Sequence, residues 1–280
     1  MDAAAVLEQA FALGDDGRWQ EMADLLARAV LDTGEDDPYL LCWWGVAERE
    51  LGNDNAAYDA FKRCLAAEPV DPQLLAMAGS GLAAFHDQDA ESALRAAALA
   101  APDSAFTRLQ YGAFLAREGM YREAIEHLQA AHRLEPEDPG ALSELAIAHA
   151  LHKDFRAAAA AMEQTLELAP DDSWTRVLLG LVYTELDDDE LAAETLIQAA
   201  DERPDDGEAQ VLAALAAGAV GWDAAALEIL ARAEYAHEPP DQDTIAEAEE
   251  ALEDGADAAA ELLLDTIGPA ALHDRLTQPL

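Results

Sequence analysis

Lysine is nearly missing from this chain of 280 residues: Lys62 and Lys153 are the only two, and 16 basic residues face 58 acidic ones for a formal net charge of −42. Nucleic acid and anionic membranes are thereby excluded as partners, because binding phosphate needs cationic side chains that displace counterions. Cysteine is as scarce, and Cys42 and Cys64 predict reduced thiols instead of a disulfide framework. Long apolar runs are lacking too. The most apolar stretch, Val211 to Trp222, is too short and too rich in alanine and glycine to span a bilayer. The start of the chain has an early Glu8 and neither the basic nor the apolar part of a secretory signal, which predicts a cytoplasmic protein. The apolar-polar alternation of strands is also absent, and the wealth of Ala, Leu and Glu predicts helix throughout.

What the chain does have is a period. Prolines fall at Pro69, Pro102, Pro136, Pro170, Pro204 and Pro239, a spacing of about 34 residues that marks a solenoid of helix pairs. Counting back gives units that start near Ala3, Pro38, Asp71, Ala105, Pro139, Ser173, Gly207 and Asp241 and cover residues 1–268, with residues 269–280 left as a C-terminal capping helix or tail. The same offsets recur inside the units: Leu41, Trp44, Gly45 then Ala57, Phe61; Tyr111, Gly112, Leu115 then Ala124, Leu128; Leu179, Gly180, Tyr183 then Ala192, Leu196. This pattern resembles the tetratricopeptide repeat family, whose units read Trp-x-x-Leu-Gly-x-x-Tyr, then Ala-x-x-x-Phe and a closing Pro. The resemblance implies an all-α fold, a right-handed α-solenoid of antiparallel helix pairs.

The residues support that fold by themselves. Each unit has two stretches with apolar residues at helical spacing, parted by a bend such as Leu51-Gly52-Asn53-Asp54. Small residues at Gly45, Ala78, Gly112, Ala146, Gly180 and Ala214 would let the two helices of a pair approach closely. No unit of this size buries its apolar face alone, so neighbours must stack into a continuous core. Acids after the closing prolines, among them Asp37, Asp103, Asp138, Asp172 and Asp206, are placed to cap the following helix and meet its positive end.

In the resembled family the first helices line a groove, with the second, fifth and ninth places of each unit pointing into it. Carried over, the groove here consists of Tyr39, Phe106 and Trp174 at second places. Cys42, Leu75, Leu109, Ser143, Val177 and Val211 stand at fifth places, and Val46, Ala113, Ile147, Leu181 and Leu215 at ninth places. That stripe is apolar almost throughout and carries residue types that dominate binding hot spots. The structural alternative is that these side chains are core. Some family members grip an acidic peptide with Lys at the fifth place and Asn at the ninth; this chain has neither there, and its negative field opposes such a ligand.

Chemistry-bearing motifs fail on context. Gly79-Ser80-Gly81 with Ala84 imitates a dinucleotide turn but follows no strand, so close helix packing is the expectation. His149 with His152, and His127 with His132, have no carboxylates or thiols at metal-ligand spacing. No cofactor or metal is expected. The reading is a non-enzymatic adaptor or scaffold that holds a peptide segment of a partner in the apolar groove, the partner being apolar or basic. A holding chaperone or assembly factor, and a regulatory subunit of an enzyme complex, are the alternatives.

The acids are uneven: residues 185–265 hold 25 Asp or Glu against Arg203 and Arg232 alone. A basic partner would be steered by such a field, whereas a saline cytoplasm would screen its self-repulsion. Under the second explanation the thermal midpoint rises markedly from low to high sodium chloride. A flat response would rule out adaptation to salt.

Overall fold

The computed structural model describes residues 3–33 and 36–277. Among these residues all regular structure is helical, apart from one isolated bridge between Asp206 and Glu238. The helices come in pairs: α1 (Ala3–Asp15) with α2 (Trp19–Thr33), α3 (Pro38–Glu50) with α4 (Asp54–Ala66), α5 (Pro72–Ala83) with α6 (Asp89–Ala100), α7 (Ala105–Arg117) with α8 (Tyr121–Leu134), and α9 (Pro139–Leu151) with α10 (Phe155–Leu168). They continue with α11 (Ser173–Thr184) and α12 (Asp189–Glu202), α13 (Gly207–Ala219) and α14 (Asp223–Ala233), then α15 (Gln242–Asp254) and α16 (Ala256–Leu262). A single π-turn, Leu263–Ile267, leads directly into α17 (Gly268–Thr277).

The starts of the first helices follow from their caps. Asp37, Asp71, Asp138, Asp172, Asp206 and Asp241 each accept a hydrogen bond from a backbone N–H of the first turn, which satisfies a donor that has no partner inside the helix. Pro38, Pro72 and Pro139 stand at the first helical position, where a missing N–H costs nothing. At α7 the cap is Ser104, which accepts from Thr107, and not the Asp103 expected from the sequence.

The chain forms two compact units. The first takes α1 to α7 with residues 126–135, and the second takes residues 119–125 with everything from Pro136 onward. Each has a core of its own. In the first, the Phe61 ring of α4 enters a slot whose walls are glycines: a Cβ on Gly45 of α3 would fall 2.7 Å from the ring, and one on Gly81 of α5 would collide with its other edge. Leu128 meets Gly112 in the same way, and in the second unit Leu196 meets Gly180.

The third pair departs from the expected register. The small residue against its second helix is Gly79, which faces Leu94, instead of Ala78. One residue fewer separates that glycine from its partner than in the neighbouring pairs, so every place counted along α5 from Asp71 is off by one.

The boundary counted from the sequence at residue 268 is not a break in the helical path, which runs on through Gly268-Pro269. Pro269 has no N–H to give to an α-turn, and the backbone widens to accommodate it: the Gly268 N–H bonds to the Leu263 carbonyl five residues back. Glycine is required there, because a Cβ would lie 2.5 Å from that carbonyl oxygen.

Two outcomes follow from this packing. Replacing glycine by alanine inside a helix ordinarily gains up to about 1 kcal/mol, but Gly81→Ala overfills the slot and is expected to cost about 1–3 kcal/mol, read as a lower urea midpoint and eased by Phe61→Leu in the same chain. Asp87 accepts from the Asp89 backbone, from the Lys62 ammonium at 2.9 Å and from the Tyr58 hydroxyl at 2.8 Å, which lowers its pKa to about 2. A depressed carboxylate stabilises the fold above the unfolded pKa, about 3.9, and that stability is lost as pH falls toward 2. Asp87→Asn should flatten this part of the acid limb in a stability-versus-pH series.

Candidate functional site: the faces of the first helices

With one side of each first helix pinned against its partner, the side turned away is the candidate recognition surface. In the N-terminal unit this surface is aromatic and open. Tyr39 opens α3 with 43% of its surface exposed, and its hydroxyl donates to Asp71 at 2.7 Å, which ties it to the cap of α5 and raises the phenol pKa. Phe11 of α1 is 41% exposed and meets the half-buried Trp43 of α3 edge to face, with ring centroids 4.8 Å apart. Trp43 occupies none of the expected groove places; the signal that could have revealed it is the Trp43-Trp44 doublet, of which the core needs only one ring.

Val46, Phe106 and Leu109 are half-buried, whereas Cys42 and Ala113 are buried. The Cys64 thiol beside it, together with burial, drives the Cys42 pKa upward, so this thiol stays protonated. Leu75 is a correction. It lines a cleft with Lys62, Arg63 and Ala66 of α4 and with Ser92 and Ala96 of α6, on the side of the second helices. The register shift in the third pair is the cause.

In the C-terminal unit the corresponding face is covered. Ile147, Val177, Leu181, Val211 and Leu215 are buried, while Ser143 and Trp174 are half-buried. Ten consecutive residues of α11, Thr175 to Thr184, are buried all round, which a helix in a two-layer stack cannot achieve. The covering layer is α17. It packs on α11 and α9 instead of capping the outer side of α15 and α16. Its buried residues are Gly268, Ala271, Leu272, Arg275 and Leu276, the one-face spacing of an amphipathic helix in a groove. The sequence holds a trace of this: Val177-Leu178-Leu179-Gly180-Leu181-Val182-Tyr183 offers no polar position for solvent.

Arg275 is the polar member of the buried stripe, with 7% of its side chain exposed. Its guanidinium lies over the Trp174 ring at 5.4 Å, pairs with Glu208, and stands 3.6 Å from Asp206. Asp206 also caps α13 through the Ala209 N–H at 3.0 Å and pairs with Arg203 at 2.9 Å. An aromatic face with two carboxylates beside it is a seat for a planar cation, and arginine fits it better than lysine because guanidinium stacks and is more weakly hydrated.

Two of the four histidines marked in the sequence pack on rings, His127 against Tyr111 at 4.9 Å and His152 against Tyr121 at 5.5 Å. Gly79 and Gly81 of the dinucleotide-like motif sit in α5 against Leu94 and Phe61. Among the described residues no helix is long and apolar enough to cross a membrane.

A stack of antiparallel helix pairs with small-to-large contacts inside each pair defines a helical-repeat protein. Residues 106–148 and 149–217 match models described as tetratricopeptide repeat, and this stretch of the chain is built of tetratricopeptide repeats. Solved structures with the same fold include PilW, a type IV pilus biogenesis factor, at 17% identity over 71% of this chain and 92% of that one, TM-score 0.63. A thermophilic TPR protein of Thermus thermophilus, TTC0263, matches at 27% identity over 64% of this chain and 97% of its own, TM-score 0.52. The Cut9-Hcn1 structure of the APC/C matches over 85% of this chain at 19% identity, TM-score 0.67, and the chain spans about half of that longer one, 48%. No curated protein matches the sequence. Tetratricopeptide repeats are protein–protein interaction modules, and the faces of the first helices are read in that light.

A double-mutant cycle tests the seat of Arg275. Trp174→Leu keeps most of the apolar area but removes the ring face, for an expected loss of about 0.5–2 kcal/mol in urea unfolding. In an Arg275→Leu background the loss should vanish; equal losses in both backgrounds would show that ring and guanidinium do not interact.

Proposed function

We propose that this chain is a non-enzymatic adaptor that holds a segment of a partner protein along the first helices of its repeats. The observation that carries the reading is the open face of the N-terminal unit, where Phe11 and Tyr39 remain substantially exposed beside Trp43 although the core beneath them is closed. Aromatic anchors on a rigid scaffold give large contact area at little ordering cost to the receptor. The partner segment is apolar, and the net charge of −42 favours one with basic residues around its apolar anchors.

An assembly or holding factor is the second reading. PilW, which shares the fold, is a pilus biogenesis factor, and a face with few hydrogen-bonding groups fixes no single sequence. Affinity capture of the full chain from its native host, with bound proteins identified by mass spectrometry, separates the two. Phe11→Ala with Tyr39→Ala, checked for unchanged helical signal, should lower recovery of one prominent partner by about tenfold or more, as for hot-spot residues. Recovery of that partner at the wild-type level would sink the adaptor reading for this face. Capture of many unrelated proteins, all reduced together in the variant, would favour the holding factor.

A further inference from the structure

The helix that covers the C-terminal unit shows what the face beneath it can recognise. We propose that this face is a binding site for a partner helix that carries an arginine within a stripe of small residues and leucine, in the pattern small-x-x-small-Leu-x-x-Arg-Leu, and that α17 occupies it as an intramolecular stand-in. The proposal rests on the adaptor reading but concerns a different face and ligand.

Three observations converge on it. The buried residues of α17 fall on one face, so α17 makes the contacts of a docked ligand helix and leaves His273, Asp274 and Thr277 in solvent. A permanent core element gains little from a buried ion pair over an apolar residue of similar size, whereas a recognition element gains register and selectivity. Arg275 is such a pair: its Nε has no hydrogen-bond partner, so α17 fits the seat imperfectly, and Glu208 is 46% exposed and open to a competing cation.

The attachment of α17 also suits exchange. It hangs on the rest of the chain through the π-turn at Leu263–Ile267. A helix of ten residues is marginal once it leaves its partner surface. While docked, it competes at the high effective concentration of a tethered segment, so an outside helix must carry the same anchors to displace it. The acidity of the chain acts in the same direction, drawing a cationic helix toward Asp206 and Glu208.

The test uses the full chain and a fluorescein-labelled peptide with the sequence of residues 262–277, followed by fluorescence anisotropy. Leu272→Ala, Arg275→Ala and Leu276→Ala together release α17 without altering the face it covers. The released variant should bind the peptide at least tenfold more tightly than the wild type does. A peptide with Arg275→Gln should lose at least tenfold on the released variant, and Trp174→Ala added to that variant should lose a similar factor. Equal binding by wild type and released variant, or equal binding of the two peptides, overturns the proposal. If the released variant loses its helical signal, hydrogen exchange on the wild type decides: α17 amides that exchange at least tenfold faster than those of α11 support a displaceable occupant, and equal rates show a fixed core element and overturn it. A wild-type dimer that vanishes in the released variant would make the occupant a second copy's α17, against the partner proposed. Loss of peptide binding with retained Tyr39-dependent capture would remove this inference and leave the adaptor reading intact.

Discussion

The structure depends on one steric contact repeated along the chain: a large side chain of the second helix seated against a glycine of the first. Phe61 on Gly45, Leu128 on Gly112 and Leu196 on Gly180 bring paired backbones to a distance that a Cβ would forbid. Such packing fixes which side of each first helix faces its partner, and so fixes which side is left over. A leftover apolar stripe must be wet, bound or covered. The N-terminal unit leaves it open at Phe11 and Tyr39, and the C-terminal unit covers it with α17. The difference between the two faces thus arises from a common packing rule.

The start of nearly every first helix was legible because it is a local matter, set by an Asp cap and often by a proline after it. The family and the helix pairs were legible because the period survives substitution at any one place. Leu75 and Ala78 were misplaced because a shift of one residue inside the third pair leaves no mark in a sequence whose positions 76, 78, 83 and 84 are all alanine. The boundary at residue 268 hid the continuity of the helical path there, because an α-turn cannot accept Pro269 and the π-turn that absorbs it is a response of the backbone to packing on both sides. The place of α17 is a tertiary fact. Only the unbroken apolar run of α11 hinted that something had to lie over it.

Charge has a structural side that net numbers hide. Acids are abundant where they are useful to the backbone, at helix starts, and two of the rare basic residues serve as internal counterions. Arg176 is 7% exposed and pairs with Glu202, and Arg275 is 6% exposed and pairs with Glu208. In a chain so acidic, a buried arginine is never far from a carboxylate, and it is the arginine, not its more exposed partner, whose charge would be stranded in low dielectric if the pairing were removed.

Asp206 joins these threads, because one carboxylate caps α13, pairs with Arg203 and faces Arg275. Selection cannot tune the cation seat at that position independently of the helix start it secures. Change at the cation seat is therefore channelled to Glu208 and Trp174, which carry no capping duty, while Asp206 answers to both the helix start and the guanidinium.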